Sequence, residues 1–237
     1  MAKRETKASK REAPQPAAPT RLPRGPHGLP REQIAQNQRQ RLLAAMVRVC
    51  GEKGYEATSV SDVLEAAGVG RETFYELFED KRGCFLAAHT LLVEDLLGQV
   101  RAAYEAPGPW PERVRNGLAR LLAWLAADSD VARVVVVEMA AAGPVYAERF
   151  QEYFHLFTAM LEEGRELSET ARDLPHITSI AAAGVFARVY EEVALGRSAE
   201  LPSLLPTLTF ELMVTFFGEE VAREEARKAR EEDQAAA

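Results

Sequence analysis

The side chains of this 237-residue chain best suited to gripping a polyanion lie in one segment, TSVSDVLEAAGVGRETFYELFEDK, from Thr58 to Lys81. Hydroxyls at Ser59, Thr73 and Tyr75 suit phosphate oxygens, and Lys81 adds a positive charge at a helix start. Glu72 opposes a polyanion unless it accepts from a cytosine amino group or pairs with Arg71. The segment reads as a short helix, a turn containing Gly68, and a second short helix, which is a helix-turn-helix layout. Apolar residues of both helices face inward and leave Arg71, Glu72, Thr73, Tyr75 and Glu76 at the outer surface.

Other reactive constellations are sparse. Glu152 and His155 have the Glu-x-x-His spacing of helical di-iron sites, which needs a second copy and further carboxylates. No second copy occurs, and the four histidines (27, 89, 155 and 176) are scattered. No nucleophile motif, phosphate loop or zinc spacing is present. The expectation is therefore a non-enzyme with no metal and no cofactor. Cys50 sits on an apolar helical face, where thiols are inert, and Cys84 near a helix start is the better redox candidate.

The elements that must hold these groups are helical throughout. Ile34, Leu42, Ala45, Met46, Val49 and Cys50 recur at spacings of three and four, and Gly51 and Gly54 close that helix. Ser59 with Asp62 fits a capping box. Phe74 and Phe78 lie one turn apart, and Asp80-Lys81 starts a fourth helix running to about Tyr104. Pro111 opens a helix ending near Asp128, and Ser129 or Asp130 caps the next. A helix over 145 to about 163, another after Leu174-Pro175, and a long last helix that fades after Glu219 complete the pattern. Alternating strand patterns are absent, so the fold class is all-α.

Composition sets the frame. Hydrophobic residues make up 47% and charged residues 27%, so a packed core is expected. Residues 1–31 carry eight basic against two acidic side chains, a net +6 on a chain of −7, leaving −13 for the body. A basic arm on an acidic body still binds phosphate locally. Residues 1–30 read as a disordered arm, either a plain linker or one that places Arg24-Gly25 in an A·T-rich minor groove. Residues 31–90, with the helix-turn-helix motif at 59–78, read as one domain and residues 91–237 as a second helical one. No apolar run approaches bilayer length and no signal peptide is evident, so the expectation is a cytoplasmic protein without a membrane partner.

Over residues 38 to 90 the sequence resembles the TetR family. The matching residues are Gly54-Tyr55, Thr58-Ser59-Val60, Ala67-Gly68-Val69, Thr73-Phe74-Tyr75, Phe78 and Lys81. The resemblance implies an N-terminal three-helix helix-turn-helix domain, with Thr58, Ser59, Thr73, Tyr75 and Lys81 on backbone phosphates and Gly70, Arg71 and Glu72 nearest the bases. Gly70 departs from the family's frequent serine and removes a capping hydroxyl. Leu77 replaces a common aromatic or histidine.

The same resemblance implies a C-terminal cavity between the middle helices, for which Tyr104, Trp124, Met139, Phe150, Tyr153, Phe154, His155 and Phe157 are the candidates. His155 or Tyr146 would supply polar contacts, although each aromatic residue equally suits a plain core. Ile180, Ala183, Gly184 and Ala187 on one slender helix, with Leu208, Leu212 and Phe216 on the last, suit a two-fold four-helix interface. The expected partners are double-stranded DNA with a pseudo-palindromic operator, a small and largely apolar ligand, and a second copy of the chain. The reading is a transcriptional repressor released from its operator by that ligand. The alternative is a helical small-molecule-binding or catalytic protein that keeps the fold without using DNA.

Overall fold

The computed structural model describes residues 30–142 and 145–236; the basic arm lies outside the described residues, as does the side chain of Tyr146. No strand occurs among the described residues. The described residues form nine helices in order: α1 (Arg31–Lys53), α2 (Val60–Ala67), α3 (Arg71–Leu77), α4 (Lys81–Tyr104), α5 (Trp110–Ala126), α6 (Ser129–Val136), α7 (Val145–Leu167), α8 (Ile177–Ala194) and α9 (Leu205–Ala236). Single 3₁₀ turns, Glu138–Ala142 and Ser198–Leu204, precede α7 and α9.

Local chemistry places the boundaries. The Ser59 hydroxyl accepts from the Asp62 amide while the Asp62 carboxylate accepts from the Ser59 amide, the reciprocal cap expected of that pair. Asp80 starts α4 by accepting from the Gly83 amide at 2.7 Å. The cap of α6 is Asp128, one residue before the expected Ser129 or Asp130, and its carboxylate takes the amides of Asp130 and Val131. Gly51 does not close α1 but lies inside it, because α6 crosses there. A Cβ at Gly51 would collide with Asp130, so only glycine allows that approach.

Two apolar cores result. The first joins Leu42, Met46, Val63, Phe74, Phe78 and Phe85 of α1–α4, and also takes in Val134 of α6 and Met139. The second gathers Trp110, Leu118, Leu122, Leu125, Leu201, Met213 and Phe216 from α5–α9. The chain after Glu219 departs from the expected charged tail. α9 kinks at Gly218 (φ 80°), and its second arm, 219–236, packs through buried Ala222, Ala226 and Ala229. Buried Arg115 on α5 pairs with buried Glu225 on that arm and reaches Glu232 at 3.0 Å. The Ser198–Glu232 stretch also exceeds the expectation for apolar runs, since by length and composition it could cross a membrane. Leu205, Leu208, Leu212, Met213 and Phe216 of that stretch are spent inside the second core.

Candidate nucleic-acid interface and interior cavity

α2 and α3 are short, and isolated helices of eight and seven residues would not hold together. Tertiary contacts fix them. Val63 and Phe74 are fully buried against α1 and α4, and Gly68 turns the chain in the left-handed region (φ 60°, ψ 39°), where a side chain would be strained. The Arg41 guanidinium on α1 donates to the carbonyls of Ala67 and Gly68, satisfying the end of α2.

This packing turns one side of α3 to solvent. Gly70, Arg71, Glu72 and Tyr75 are exposed there, Tyr75 by 51% with its ring edge-on to Phe74 at 5.3 Å. Arg71 donates to the Ser61 hydroxyl at 3.0 Å, which holds the guanidinium between α2 and α3. Gly70 caps α3 with no side-chain bond. Thr73 is half-buried. Ser59 is exposed at the start of α2, with its hydroxyl also donating to Asp62 at 2.7 Å. That hydroxyl, the Ser59 amide and then Lys53 at 3.0 Å hold the Asp62 carboxyl down at about 2.

Two residues assigned to phosphate lie elsewhere. Thr58 is buried, and its hydroxyl donates to Gly54 O at 2.7 Å. Lys81 Nζ donates to Tyr55 O and Thr58 O, both at 2.9 Å, and sits 4.1 Å from the Tyr55 ring centroid. Lys81 thereby ties the α1–α2 loop to α4 while Thr58 closes the loop on itself, an internal use of polar groups that composition does not distinguish from a surface one.

The junction between the two cores is closed by a residue that sequence reasoning missed. Glu138 is buried; one carboxylate oxygen accepts from the Tyr55 amide and the other from Arg133 Nε, each at 2.8 Å. Its only sequence signal is a single carboxylate in the apolar run Val134–Ala142.

A cavity of about 180 Å³ lies between α4, α5, α7 and α8. Tyr104, Met139, Phe150, Tyr153, Phe154 and Phe157 line it. Trp124 and His155 do not. The Trp124 indole donates to Asp95 at 2.8 Å, and His155 is exposed on α7. Missed by the sequence were the aliphatic lining residues and one polar one, His89, which lies one turn from Phe85 and Val93 on the inward face of α4, where the spacing could have found it. Burial pushes its imidazole down to about 4, and Nε2 lies 3.3 Å from Val135 O of α6. A neutral ring donates there.

The expected interface residues divide. Ile180 is 64% exposed, and Ala183, Gly184 and Ala187 continue its open face along α8. Leu208, Leu212 and Phe216 are instead buried within their own chain, because α9 fills the second core. On α9, Thr207, Glu211 and Val214 are the exposed residues of that arm's outer side. Among the described residues no three His, Cys, Asp or Glu side chains converge on a metal position. Cys84 is fully buried and its thiol is pushed up to about 12 by burial, so it is not the reactive cysteine its helix-start position suggested.

Residues 42–88 match the model for bacterial regulatory proteins of the tetR family. The chain is 36% identical over 75 residues to the uncharacterized HTH-type transcriptional regulator YezE of Bacillus subtilis (strain 168), covering 32% of this chain and 39% of that one. The fatty acid degradation regulator FadR of Bacillus halodurans has the same fold, with a TM-score of 0.67 at 20% identity over 76% of this chain and 95% of its own. FadR of Bacillus subtilis, solved with stearoyl-CoA, gives 0.63 at 20% identity over 75% and 97%. The chain thus spans about two fifths of the length of the curated relative it matches, while the fold is shared over three quarters of its own. Residues 42–88 are thus similar to the tetR family of bacterial regulatory proteins, and the helices that follow share the fold of the two FadR structures.

Proposed function

We propose that the protein is a sequence-specific DNA-binding transcriptional repressor, released from a pseudo-palindromic operator by a small, largely apolar ligand. The observation that carries this reading is the solvent face of α3, where Arg71 and Tyr75 lie exposed one turn apart on a helix whose other side is packed into the first core. Residues 31–90 act as the DNA-binding domain and residues 91–237 as the ligand-binding and dimerisation domain. Arg71, Glu72 and Gly70 approach base edges, while Ser59, Thr73 and Tyr75 take phosphate. Thr58 and Lys81 act one step back, by holding the loop that presents Ser59. Dimerisation through the open face of α8 and the outer side of α9 would set two α3 helices about 34 Å apart, one turn of DNA.

The cavity is the ligand site. Support comes from its apolar wall and from the stearoyl-CoA held by the similar FadR of Bacillus subtilis. His89 ties the cavity to α6 through Val135 O, and Glu138, two residues beyond α6, ties that element to Tyr55. A ligand favouring a shifted α6 would thereby favour a displaced DNA-binding domain, with a coupling of about 1–3 kcal/mol. The protein acts in the cytoplasm and carries no catalysis of its own. Fluorescence anisotropy with a labelled random-sequence duplex at 50 and 200 mM salt tests the DNA face. Binding should weaken steeply with salt and weaken further in Arg71→Ala. Absence of binding at the lower salt, or an Arg71→Ala affinity equal to the parent's, would refute this reading.

A further inference from the structure

Among the described residues the cavity wall contains no Lys, Arg, Asp or Glu, and its polar side chains are His89, Tyr104 and Tyr153. Tyr104 is committed: its hydroxyl donates to Met160 O at 3.0 Å and lies 3.1 Å from a Glu163 carboxylate oxygen. Tyr153 is not. Its hydroxyl is buried and has no hydrogen-bond partner among the described residues. A buried donor of this kind is costly unless something accepts from it. The His89 ring lies beside it, with centroids 6.0 Å apart. Because His89 Nε2 donates to Val135 O, its Nδ1 is left as an acceptor.

Charge sets the ligand class. Arg149, the cation nearest in sequence to this pair, lies outside the cavity wall, is 44% exposed and pairs with Glu152 at 3.4 Å. The charge of Arg149 reaches the His89 ring from outside the wall, but no cation of the described wall would pair a carboxylate desolvated there. A carbonyl that carries no charge meets no such cost and satisfies the Tyr153 hydroxyl.

We infer that the cavity binds an apolar chain ending in an uncharged carbonyl group, of ester, thioester or lactone type, with Tyr153 donating to that oxygen beside His89. This inference rests on the ligand-regulated reading above, and it specifies the ligand by its polar end. An acyl chain bearing a charged head group fits only with its carbonyl inside and the charge outside the mouth.

The test uses the full chain and displacement of the uncharged fluorophore N-phenyl-1-naphthylamine by three C10 probes: methyl decanoate, decanoate and decane. Methyl decanoate should compete at least about tenfold better than decanoate at pH 7.5, as a desolvated charge requires. Tyr153→Phe should weaken methyl decanoate about tenfold, the loss of one buried hydrogen bond, and leave decane unchanged. Equal affinity for the ester in Tyr153→Phe, decanoate binding as tightly as its ester, or no displacement by any chain would overturn the inference. The DNA measurement above is read separately, so a failed ligand assignment with intact salt-dependent DNA binding leaves the regulator standing.

Discussion

Replacing Glu138 by alanine should loosen the seam between the DNA-binding helices and α6. The carboxylate is 7% exposed and makes two bonds of 2.8 Å, one to the Tyr55 amide and one to Arg133. The Arg133 side chain is 45% exposed, so solvent screens its share and little is lost there. The Tyr55 amide is buried and would be left without its acceptor, a loss of about 1–3 kcal/mol. Removing the carboxylate also removes its own desolvation cost, so we set the net effect near 2 kcal/mol. For a chain of this length that lowers Tm by about 4–8 °C. Hydrogen exchange gives the local readout: the Tyr55 amide should lose protection well beyond the global change. Glu138→Gln retains an acceptor and should recover more than half of both effects. A Glu138→Ala melting point within about 1 °C of the parent, with Tyr55 protection unchanged, would refute the claim that this carboxylate joins the two cores.

Three further outcomes follow from the same geometry. Gly70→Ser adds an N-cap hydroxyl to α3 where an added Cβ meets nothing within 4 Å, so it should stabilise the protein by about 0.5–1 kcal/mol; a lower Tm would contradict the cap assignment. His89 is held neutral, at about 4 against 6.5 unfolded, so the unfolded chain binds the extra proton between those values. The stability it contributes is full above pH 6.5 and falls as pH drops towards 4, by about 1 kcal/mol at pH 5.5. Urea midpoints at pH 7.5 and 5.5 measure this, and an equal drop in His89→Leu would exclude His89 as its source. Ile180→Glu lies on an open face and should change monomer stability by less than about 0.5 kcal/mol while halving the mass seen in sedimentation equilibrium; a mass equal to the parent's would remove α8 from the dimer interface.

Much of the frame was legible in local chemistry. The Ser59–Asp62 box and the Asp80 cap are signals carried by two residues each, and they locate α2 and the start of α4 correctly. The second arm of α9 was not legible, because alanines at 222, 226 and 229 bury it and the surrounding charges read as a tail. The pocket was legible as aromatic residues on α7 but not in its register: His155 faces out, whereas His89 on α4 faces in. Leu208, Leu212 and Phe216 show why interface and core are alike in sequence, since a helix apolar on several sides is satisfied equally by its own chain or by another. Lys81 and Thr58 show the same ambiguity for polar groups, which serve the fold here by capping carbonyls.

The most direct test of the central claim is selection of duplexes from a random-sequence pool by the purified full chain, with Arg71→Ala and Tyr75→Phe selected in parallel. Enrichment of a pseudo-palindrome is predicted, with its sequence preference relaxed in Arg71→Ala and its recovery reduced in Tyr75→Phe while the preferred sequence stays the same. Enrichment of no sequence by the parent chain, or the same motif recovered equally by both variants, would contradict α3 as the element that reads DNA.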